Sequence, residues 1–329
     1  MPDSNGASMR QEGEAEDRQG VAMQIIGQTT EFHIEEKTAA AIGKFDGIHK
    51  GHEKLLGKIL EQKKNGLKTV VFTFDPPPAL FLGQTQVKEL TTKREKEKIF
   101  EQMGIDFLIE FPMKASTASM SPEEFVREVL VKKMNVEYLA AGTDVSFGYR
   151  GAGNAGLLNQ LSKDCGFQVE LIEKICYNGR EISSSYIREE IEKGNMENAA
   201  VLIGNPYSVF GVVEHGNRLG RTLSMPTVNL VPEAEKLLPP YGVYFSKIIL
   251  DGQLYYGVTN IGSKPTVSKK AVPGVETYIF DFEEEIYNKE ITVLLEHFKR
   301  AEKKFAGIEE LKRQLLVDKE DGRNYYFGK

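Results

Sequence analysis

The run from Gly43 to His52, Gly-Lys-Phe-Asp-Gly-Ile-His-Lys-Gly-His, places two imidazoles among glycines. It follows the small apolar segment from Ala39 to Ile42 and precedes apolar residues at helical spacing from Leu55 to Leu60. This pattern predicts a strand, a loop and the start of a helix. Free N–H groups and the positive end of the helix dipole bind anions at such a start. Histidines there can donate hydrogen bonds to a nucleotide phosphate while its charge rearranges.

Two other interpretations of His49 and His52 are open. The two residues can form a surface pair without a chemical role, or they can be two ligands of a metal ion. A zinc site needs three or four ligands, and no third His or Cys stands at ligand spacing nearby. The flanking glycines, the preceding strand and the following helix therefore favour phosphate chemistry.

Three further polar segments stand at predicted ends of strands or starts of helices in the first half. They are Thr73–Pro78 after the second strand, Gly142–Gly148 after the fourth, and Ile182–Arg188 at a helix start. All three can converge on one crevice with the histidine loop. Hydroxyl and N–H groups of Ser183–Ser185 can hold phosphate, and Arg188 adds a delocalised charge for a departing pyrophosphate. The plainer interpretation of the serines is helix capping.

In the second half, the chemistry-bearing residues are Thr227, Asn229 and Glu276. Thr227 and Asn229 share one face if they enter a strand, so both side-chain oxygens can reach one magnesium ion. The alternative is a turn fixed by Pro226. Glu276 interrupts an apolar run that predicts a strand. It either faces water or serves as the general base that a kinase acting on an alcohol needs.

Up to about residue 200, strand-like runs alternate with helical patterns. The strands are predicted at 38–42, 69–74, 106–111, 136–141 and 168–173, and the helices at 53–65, 92–103, 122–134 and 156–164. The third helix carries a start signal, with Ser121 as N-cap, Pro122 at the first position and Glu124 three residues after the cap. This alternation predicts an α/β fold with a doubly wound parallel sheet, whose ligands lie beyond the carboxyl ends of the strands.

After Pro206 the strand-like runs follow one another without helices between them. They are predicted at 207–214, 242–250, 254–260, 276–282 and 290–298, which indicates an antiparallel barrel or sandwich. A helical pattern from Ile308 to Leu316 closes the chain. We expect a disordered extension over residues 1–22, a first domain over 23–204 and a second domain over 205–329.

The composition is that of an ordinary soluble globular protein. The chain has 329 residues, of which 40% are hydrophobic and 27% charged, and its net charge is −6. A negative charge disfavours a protein that coats nucleic acid, and no apolar stretch is long enough to span a bilayer. Two cysteines without a secretory signal predict free thiols and a cytoplasmic location. We expect no nucleic-acid or membrane partner, and a monomer or weak homo-oligomer.

The run that contains His49 and His52 resembles the H-x-G-H signature of nucleotidyltransferases. The whole pattern, over about residues 23–325, resembles the prokaryotic bifunctional riboflavin kinase/FMN adenylyltransferase family, also called FAD synthetases. Several separate motifs agree in order, and the architecture changes at the expected place. The resemblance implies an α/β nucleotidyltransferase domain followed by an antiparallel riboflavin kinase barrel. It implies that riboflavin is phosphorylated to FMN with ATP and Mg²⁺, and that FMN is adenylylated to FAD with release of pyrophosphate.

The resemblance also implies roles for individual residues. In the first half, His49, His52 and Arg188 match catalytic positions. Matches to the positions that bind ATP and its phosphates are Gly43, Phe45, Asp46, Gly51, Asp144, Ser184 and Ser185. In the second half, the matching residues are Gly220 and Arg221 in a flap, Thr227 and Asn229 as metal and phosphate ligands, and Glu276 as the catalytic base.

The chain departs from the family pattern at a few positions. Pro77 occupies the place of a histidine in the Pro-His-Pro motif and cannot donate a hydrogen bond. Ser185, Ser224 and Asn154 replace the more usual Thr, Gly and Asp. One alternative is therefore a riboflavin kinase whose adenylyl transfer is weakened or lost. The others are a cytidylyltransferase or another H-x-G-H transferase with an unrelated barrel, and a flavin-binding regulatory or carrier protein.

Overall fold

The structure, a computed structural model, describes residues 22–83, 88–215, 225–264 and 272–328. In the first half, the strands are β1 (Gln24–Gly27), β2 (Thr38–Ile42), β3 (Lys68–Asp75), β4 (Phe107–Pro112), β5 (Val136–Gly142) and β6 (Gln168–Ile172). The helices are α1 (Lys50–Glu61), α2 (Pro78–Phe81), α3 (Lys93–Gln102), α4 (Ala115–Ala118), α5 (Pro122–Glu124) and α6 (Ala155–Cys165). Helix α5 continues as a π-helical stretch, Phe125–Lys133.

The six strands form one parallel sheet in the order β1-β4-β3-β2-β5-β6. Alternate residues of the central strands pack on opposite faces, against α1 and α3 on one side and the α5 and α6 region on the other. This arrangement confirms the predicted doubly wound α/β fold. The chain moves outward from β2 in one direction and from β5 in the other. The loops after β2 and β5 therefore meet at the switch point where such folds bind ligands.

Local start signals correspond well to the observed helices. The Ser121 hydroxyl accepts a hydrogen bond of 3.1 Å from the Glu124 N–H, as predicted.

Strand β1 was not predicted from the sequence. Gln24 and Ile25 are exposed at the edge of the sheet, so this strand shows none of the buried periodicity from which strands are recognised.

A small hairpin and two helices connect the halves. They are β7 (Cys176–Tyr177), β8 (Arg180–Glu181), α7 (Ser184–Lys193) and α8 (Met196–Ile203). Apolar residues of α7 and α8, such as Ile191 and Leu202, pack in the same cluster as the interior of the second half. The domain limits at residues 22/23 and 204/205 stay a prediction, and residues 1–21 lie outside the described residues.

The second half forms a closed antiparallel barrel in the strand order β10-β13-β12-β11-β14-β9. Its strands are β9 (Tyr207–Glu214), β10 (Val228–Leu230), β11 (Gly242–Leu250), β12 (Gln253–Lys264), β13 (Val272–Ile279) and β14 (Glu290–Ala301). The predicted barrel is thus confirmed, with β10 as the strand that closes it. Inward-facing residues such as Leu230, Ile261 and Val275 form the core.

The predicted terminal helix, α9 (Ile308–Phe327), covers part of the outer barrel surface. Beneath it lies a second small apolar cluster that includes Val243, Phe245, Val258 and Phe280. The barrel therefore has an inner core and a covered outer face. No helix in the described ranges is both long and apolar enough to cross a membrane.

Alanine substitution at two helical glycines should change the free energy of unfolding in opposite directions. Alanine normally favours a helix over glycine by about 0.5–1 kcal/mol. Gly57 in α1 has open space at its Cβ position, so Gly57→Ala should raise the free energy of unfolding by that amount. A Cβ on Gly322 in α9 would lie 2.6 Å from Val258 Cγ2. Gly322→Ala should therefore lower the free energy of unfolding by about 1–3 kcal/mol. Urea denaturation measures both changes, and stabilisation by both substitutions would contradict the proposed packing of α9.

Candidate active sites

The loop between β2 and α1 holds the two predicted histidines side by side. His49 is the N-cap of α1, and its Nδ1 accepts a hydrogen bond of 3.1 Å from the Gly51 N–H. The neutral ring therefore carries its proton on Nε2, which can act as a donor. The His49 and His52 rings stack with centroids 3.9 Å apart, and the fully buried Phe45 packs behind His52. The helix start thus presents imidazoles at its positive end.

Burial keeps both imidazoles neutral. It lowers the pKa of His49 to about 4, against the opposing effect of the Asp46 and Asp144 carboxylates. Burial, together with the charge that His49 would carry, lowers the pKa of His52 to about 3. His52 Nδ1 is buried and has no hydrogen-bond partner among the described residues. Such an atom is costly to bury unless a bound molecule completes its hydrogen bonding.

The carboxylate of Asp46 holds this loop in place. Its Oδ1 accepts hydrogen bonds from the N–H groups of Leu90 at 2.8 Å and Thr91 at 3.2 Å. Its Oδ2 pairs with Arg188 of α7, and its backbone carbonyl accepts a hydrogen bond of 2.8 Å from the Ser184 hydroxyl. The predicted residues Asp46, Ser184 and Arg188 therefore do converge on the histidine loop.

Other predicted residues surround the same loop. Gly43 continues β2, because its N–H donates to the Phe72 carbonyl at 3.1 Å. Asp144 follows β5 and forms an ion pair of 3.1 Å with Lys174. Ser185 is exposed in the first turn of α7, and Pro77 directly precedes α2 beyond the carboxyl end of β3. These side chains lie at the edge of the sheet predicted for the ligand.

In the barrel, strand register places Glu276 between two asparagines. Glu276 on β13 lies directly opposite Asn229 on β10 and Asn260 on β12. Directly opposite residues project from the same face of a sheet, here the outer face, because their neighbours Leu230, Val275 and Ile261 belong to the core. Thr227 immediately precedes β10. The three predicted residues Thr227, Asn229 and Glu276 are thus neighbours.

A cavity of about 250 Å³ lies between this polar row and the α9 region. Thr227, Asn260 and Glu276 line it together with apolar residues such as Phe305, Leu311 and Leu315, and the charged residues of the lining are Arg300, Glu302, Lys303 and Asp318. Thr227 also lines a second cavity, of about 290 Å³, whose lining includes Pro226, Tyr287 and the three carboxylates of Glu283–Glu285. Two molecules bound in these cavities would meet near Thr227. The predicted flap residues Gly220 and Arg221, and Ser224, lie outside the described residues.

Three residues near the sites were not singled out from the sequence. Asn260 faces Glu276, but it directly follows Thr259 in a strand without alternating polarity, so no sequence signal singled it out. Glu95 and Lys236 form a buried ion pair of 2.6 Å between the two halves. The capping-box spacing from Thr92 to Glu95 is visible in the sequence, but nothing local distinguishes Lys236 from a surface lysine.

Comparisons with known proteins give the same division of the chain. A family model described as FAD synthetase matches residues 31–186, and one described as riboflavin kinase matches residues 203–326. The bifunctional riboflavin kinase/FMN adenylyltransferase of Bacillus subtilis (strain 168) is 37% identical over 316 residues, which cover 92% of this chain and 98% of the relative. The protein of the same name from Escherichia coli (strain K12) is 33% identical, with 89% of this chain and 94% of the relative covered.

Among solved structures, one described as a macrolide-efflux protein from Streptococcus pneumoniae has the same architecture. Its TM-score is 0.80 at 28% sequence identity, and the match covers 92% of this chain and 99% of that chain. The arrangement of sheet, barrel and terminal helix therefore extends over both proteins almost completely.

The low histidine pKa values predict a pH-dependent stability. An exposed imidazole has a pKa of about 6.5, so below that pH the unfolded chain binds protons that the folded chain does not take up. The free energy of unfolding should therefore fall by about 1–2 kcal/mol per histidine between pH 7 and pH 5. The double variant His49→Asn/His52→Asn should flatten this dependence in urea titrations. His33→Asn, at an exposed site, is the control, and an unchanged slope in the double variant would refute the burial argument.

Proposed function

The chain belongs to the bifunctional riboflavin kinase/FMN adenylyltransferase family, and we propose that each half performs its reaction with the residues gathered in its own site. The first half contains the FAD synthetase domain and the second the riboflavin kinase domain. The protein therefore phosphorylates riboflavin to FMN with ATP and adenylylates FMN to FAD with release of pyrophosphate. A kinase without adenylyl transfer is not favoured, because the FAD synthetase match includes Pro77, and His49 and His52 are both present.

In adenylyl transfer, the phosphate of FMN attacks the α-phosphate of ATP. This nucleophile is already an anion, so the site has to align the reactants and stabilise charge rather than remove a proton. The observation that carries this assignment is the pair of neutral, stacked imidazoles at the start of α1. We assign to His49 Nε2 and to His52 the donation of hydrogen bonds to the triphosphate.

Arg188 is the cation that pairs with Asp46 of this loop. Its side chain is 24% exposed, and its guanidinium is oriented by Asp46 and by the Lys88 carbonyl. We assign to Arg188 the stabilisation of the departing pyrophosphate, and to the first turn of α7, with Ser184 and Ser185, a contact with phosphate. Asp144, near His49, would face the nucleotide from the β5 side.

In the kinase reaction, Glu276 would take the proton from the terminal hydroxyl of the ribityl chain while that oxygen attacks the γ-phosphate. The cavity beneath the α9 region would bind the flavin through its apolar lining residues, and the cavity beyond Thr227 would receive the nucleotide. Glu276 borders the first cavity and Thr227 borders both. The attacking oxygen and the γ-phosphate would therefore meet beside Glu276.

The donor set beside Glu276 fits magnesium. Thr227 and Asn229 offer oxygen donors, the ligand type that Mg²⁺ prefers, and Mg²⁺ usually takes its remaining ligands from phosphate and water. We propose Thr227 and Asn229 as its protein ligands, with Gly220 and Arg221 as the adjoining flap. When bound, the ion neutralises charge on the ATP phosphates. Asn229 is 7% exposed and lies on a paired strand, so its amide can be held in one orientation.

Substitution of the histidines should separate the two activities. His49→Ala and His52→Ala should each lower FAD formation from supplied FMN by about 10²–10³-fold, the usual effect of losing one preorganised donor. FMN formation from riboflavin should change little, since the barrel site is independent. Incubation with MgATP and chromatography of FMN and FAD measures both activities, with His33→Ala as the matched control. Equal loss of both activities would contradict separate sites.

Glu276→Gln should abolish riboflavin phosphorylation, because the amide cannot accept the hydroxyl proton. The same variant should adenylylate supplied FMN at the wild-type rate. Glu214 is the competing candidate, since it is the carboxylate opposite Asn229 on its other side. It is exposed and does not line the cavity, so Glu214→Gln should retain kinase activity. Wild-type turnover by Glu276→Gln would remove Glu276 from the proposed role.

A further inference from the structure

Lys236, in the connection between β10 and β11, extends from the barrel into the first half of the chain. Its Nζ donates hydrogen bonds to Glu95 Oε2 at 2.6 Å and to the Leu90 carbonyl at 2.7 Å. The Lys236 and Glu95 side chains are only 1% and 3% exposed. Glu95 also accepts a hydrogen bond of 3.1 Å from the N–H of Phe210 in the barrel. Both partners of the ion pair are therefore fixed between the two halves.

The peptide units that Lys236 contacts also hold the histidine loop. The Leu90 N–H donates to Asp46, while the Leu90 carbonyl accepts from Lys236. The next residue, Thr91, donates its N–H to Asp46 and accepts the Gly47 N–H on its hydroxyl at 3.0 Å. Gly47 has a positive φ of 74°, and a Cβ there would lie 2.6 Å from Leu90 Cδ1. The loop and the segment are in close contact.

Backbone pairing with the barrel holds the same segment. The Glu89 N–H donates to the Glu235 carbonyl at 2.6 Å, and the Leu237 N–H donates to the Glu89 carbonyl at 2.8 Å. Leu90 and Thr91 border a cavity of about 770 Å³ between the halves. Leu90 is also buried in the core cluster that contains the barrel interior, so hydrogen bonds to the barrel and this packing together determine where the segment lies.

We propose that Lys236, a residue of the kinase barrel, is a positioning residue for adenylyl transfer in the first half. Through Leu90 it fixes the segment that holds Asp46, and Asp46 fixes the loop that carries His49 and His52. Donors that act in a transition state are sensitive to small displacements, so a remote change can cost about 10²-fold in rate. This inference rests on the proposed role of the two histidines.

The test is Lys236→Met in the full-length protein, assayed for adenylylation of supplied FMN and for phosphorylation of riboflavin. Loss of the Leu90 contact should lower kcat for adenylylation by about ten- to a hundredfold. The KM values for ATP and FMN should stay within about threefold, because the affected donors act mainly in the transition state. Kinase activity should stay within about twofold. Glu290→Gln is the matched control, since it removes exposed ion pairs with Arg94 and Lys98 across the same interface and should alter neither activity.

A double variant, Glu95→Gln/Lys236→Met, separates positioning from stability. Replacing both members of a buried ion pair avoids an uncompensated charge, so its melting temperature should exceed that of Lys236→Met. Its adenylylation kcat should nevertheless stay low, because the Leu90 contact is still absent. Activities are compared at a temperature at which circular dichroism shows each variant folded.

Three results would overturn the proposal: an unchanged adenylylation kcat in either folded variant, a parallel loss of both activities, or failure of both variants to fold. The last two would assign the pair to folding alone. His52→Ala assayed in parallel isolates the underlying assumption. If His52→Ala impairs adenylylation and the Lys236 variants do not, only the inference about Lys236 fails; if His52→Ala is itself fully active, the proposed histidine site fails.

Discussion

The carboxylate of Asp46 is the contact on which the first site depends. It accepts hydrogen bonds from Leu90 and Thr91 and pairs with Arg188, so it joins the loop after β2 to a second loop and to α7. The loop contains a positive φ at Phe45 and at Gly47, a backbone path that needs support from outside itself. An ionised carboxylate can accept several hydrogen bonds. One side chain thereby anchors the loop that carries both histidines.

The two proposed reactions need different chemical groups, and the two sites present them on different elements, a helix start in the first half and paired strands in the second. An anionic phosphate that attacks a triphosphate needs hydrogen-bond donors, and in the proposed mechanism a helix start with His49 and His52 provides them without introducing a strong base. An alcohol must lose a proton as it attacks, and Glu276 stands beside the oxygen donors of Thr227 and Asn229. Strands suit this second arrangement, because sheet register places Asn229 and Asn260 directly opposite Glu276.

The buried Lys236–Glu95 pair joins the two halves that contain the proposed sites. Buried ion pairs contribute less to stability than their short distances indicate, because both charges lose their hydration. Burial does lower the pKa of Lys236, and the adjacent Glu95 carboxylate opposes that shift. The attraction between two buried charges offsets their lost hydration only when their distance and hydrogen bonds are favourable. Such a pair therefore suits the joining of a barrel to a sheet in one relative position better than a purely apolar contact would.

Sequence alone determined the features that depend on neighbours along the chain. The alternation of strands and helices, the N-cap at Ser121, the histidine loop, the barrel strands and the terminal helix all follow from local periodicity and capping chemistry. Strand β1 was not predicted, because its exposed residues show no such periodicity. The alternative of a kinase without adenylyl transfer rested on Pro77, a single departure from the family pattern, and it is not favoured.

Tertiary structure alone decided which distant residues meet. The pairing of Glu276 with two asparagines depends on the register of three strands, and the partnership of Glu95 with Lys236 joins residues 141 positions apart. The relative placement of the two halves was likewise beyond the sequence. Periodicity reports which face of an element is buried, whereas register and docking depend on how complete surfaces fit together in space.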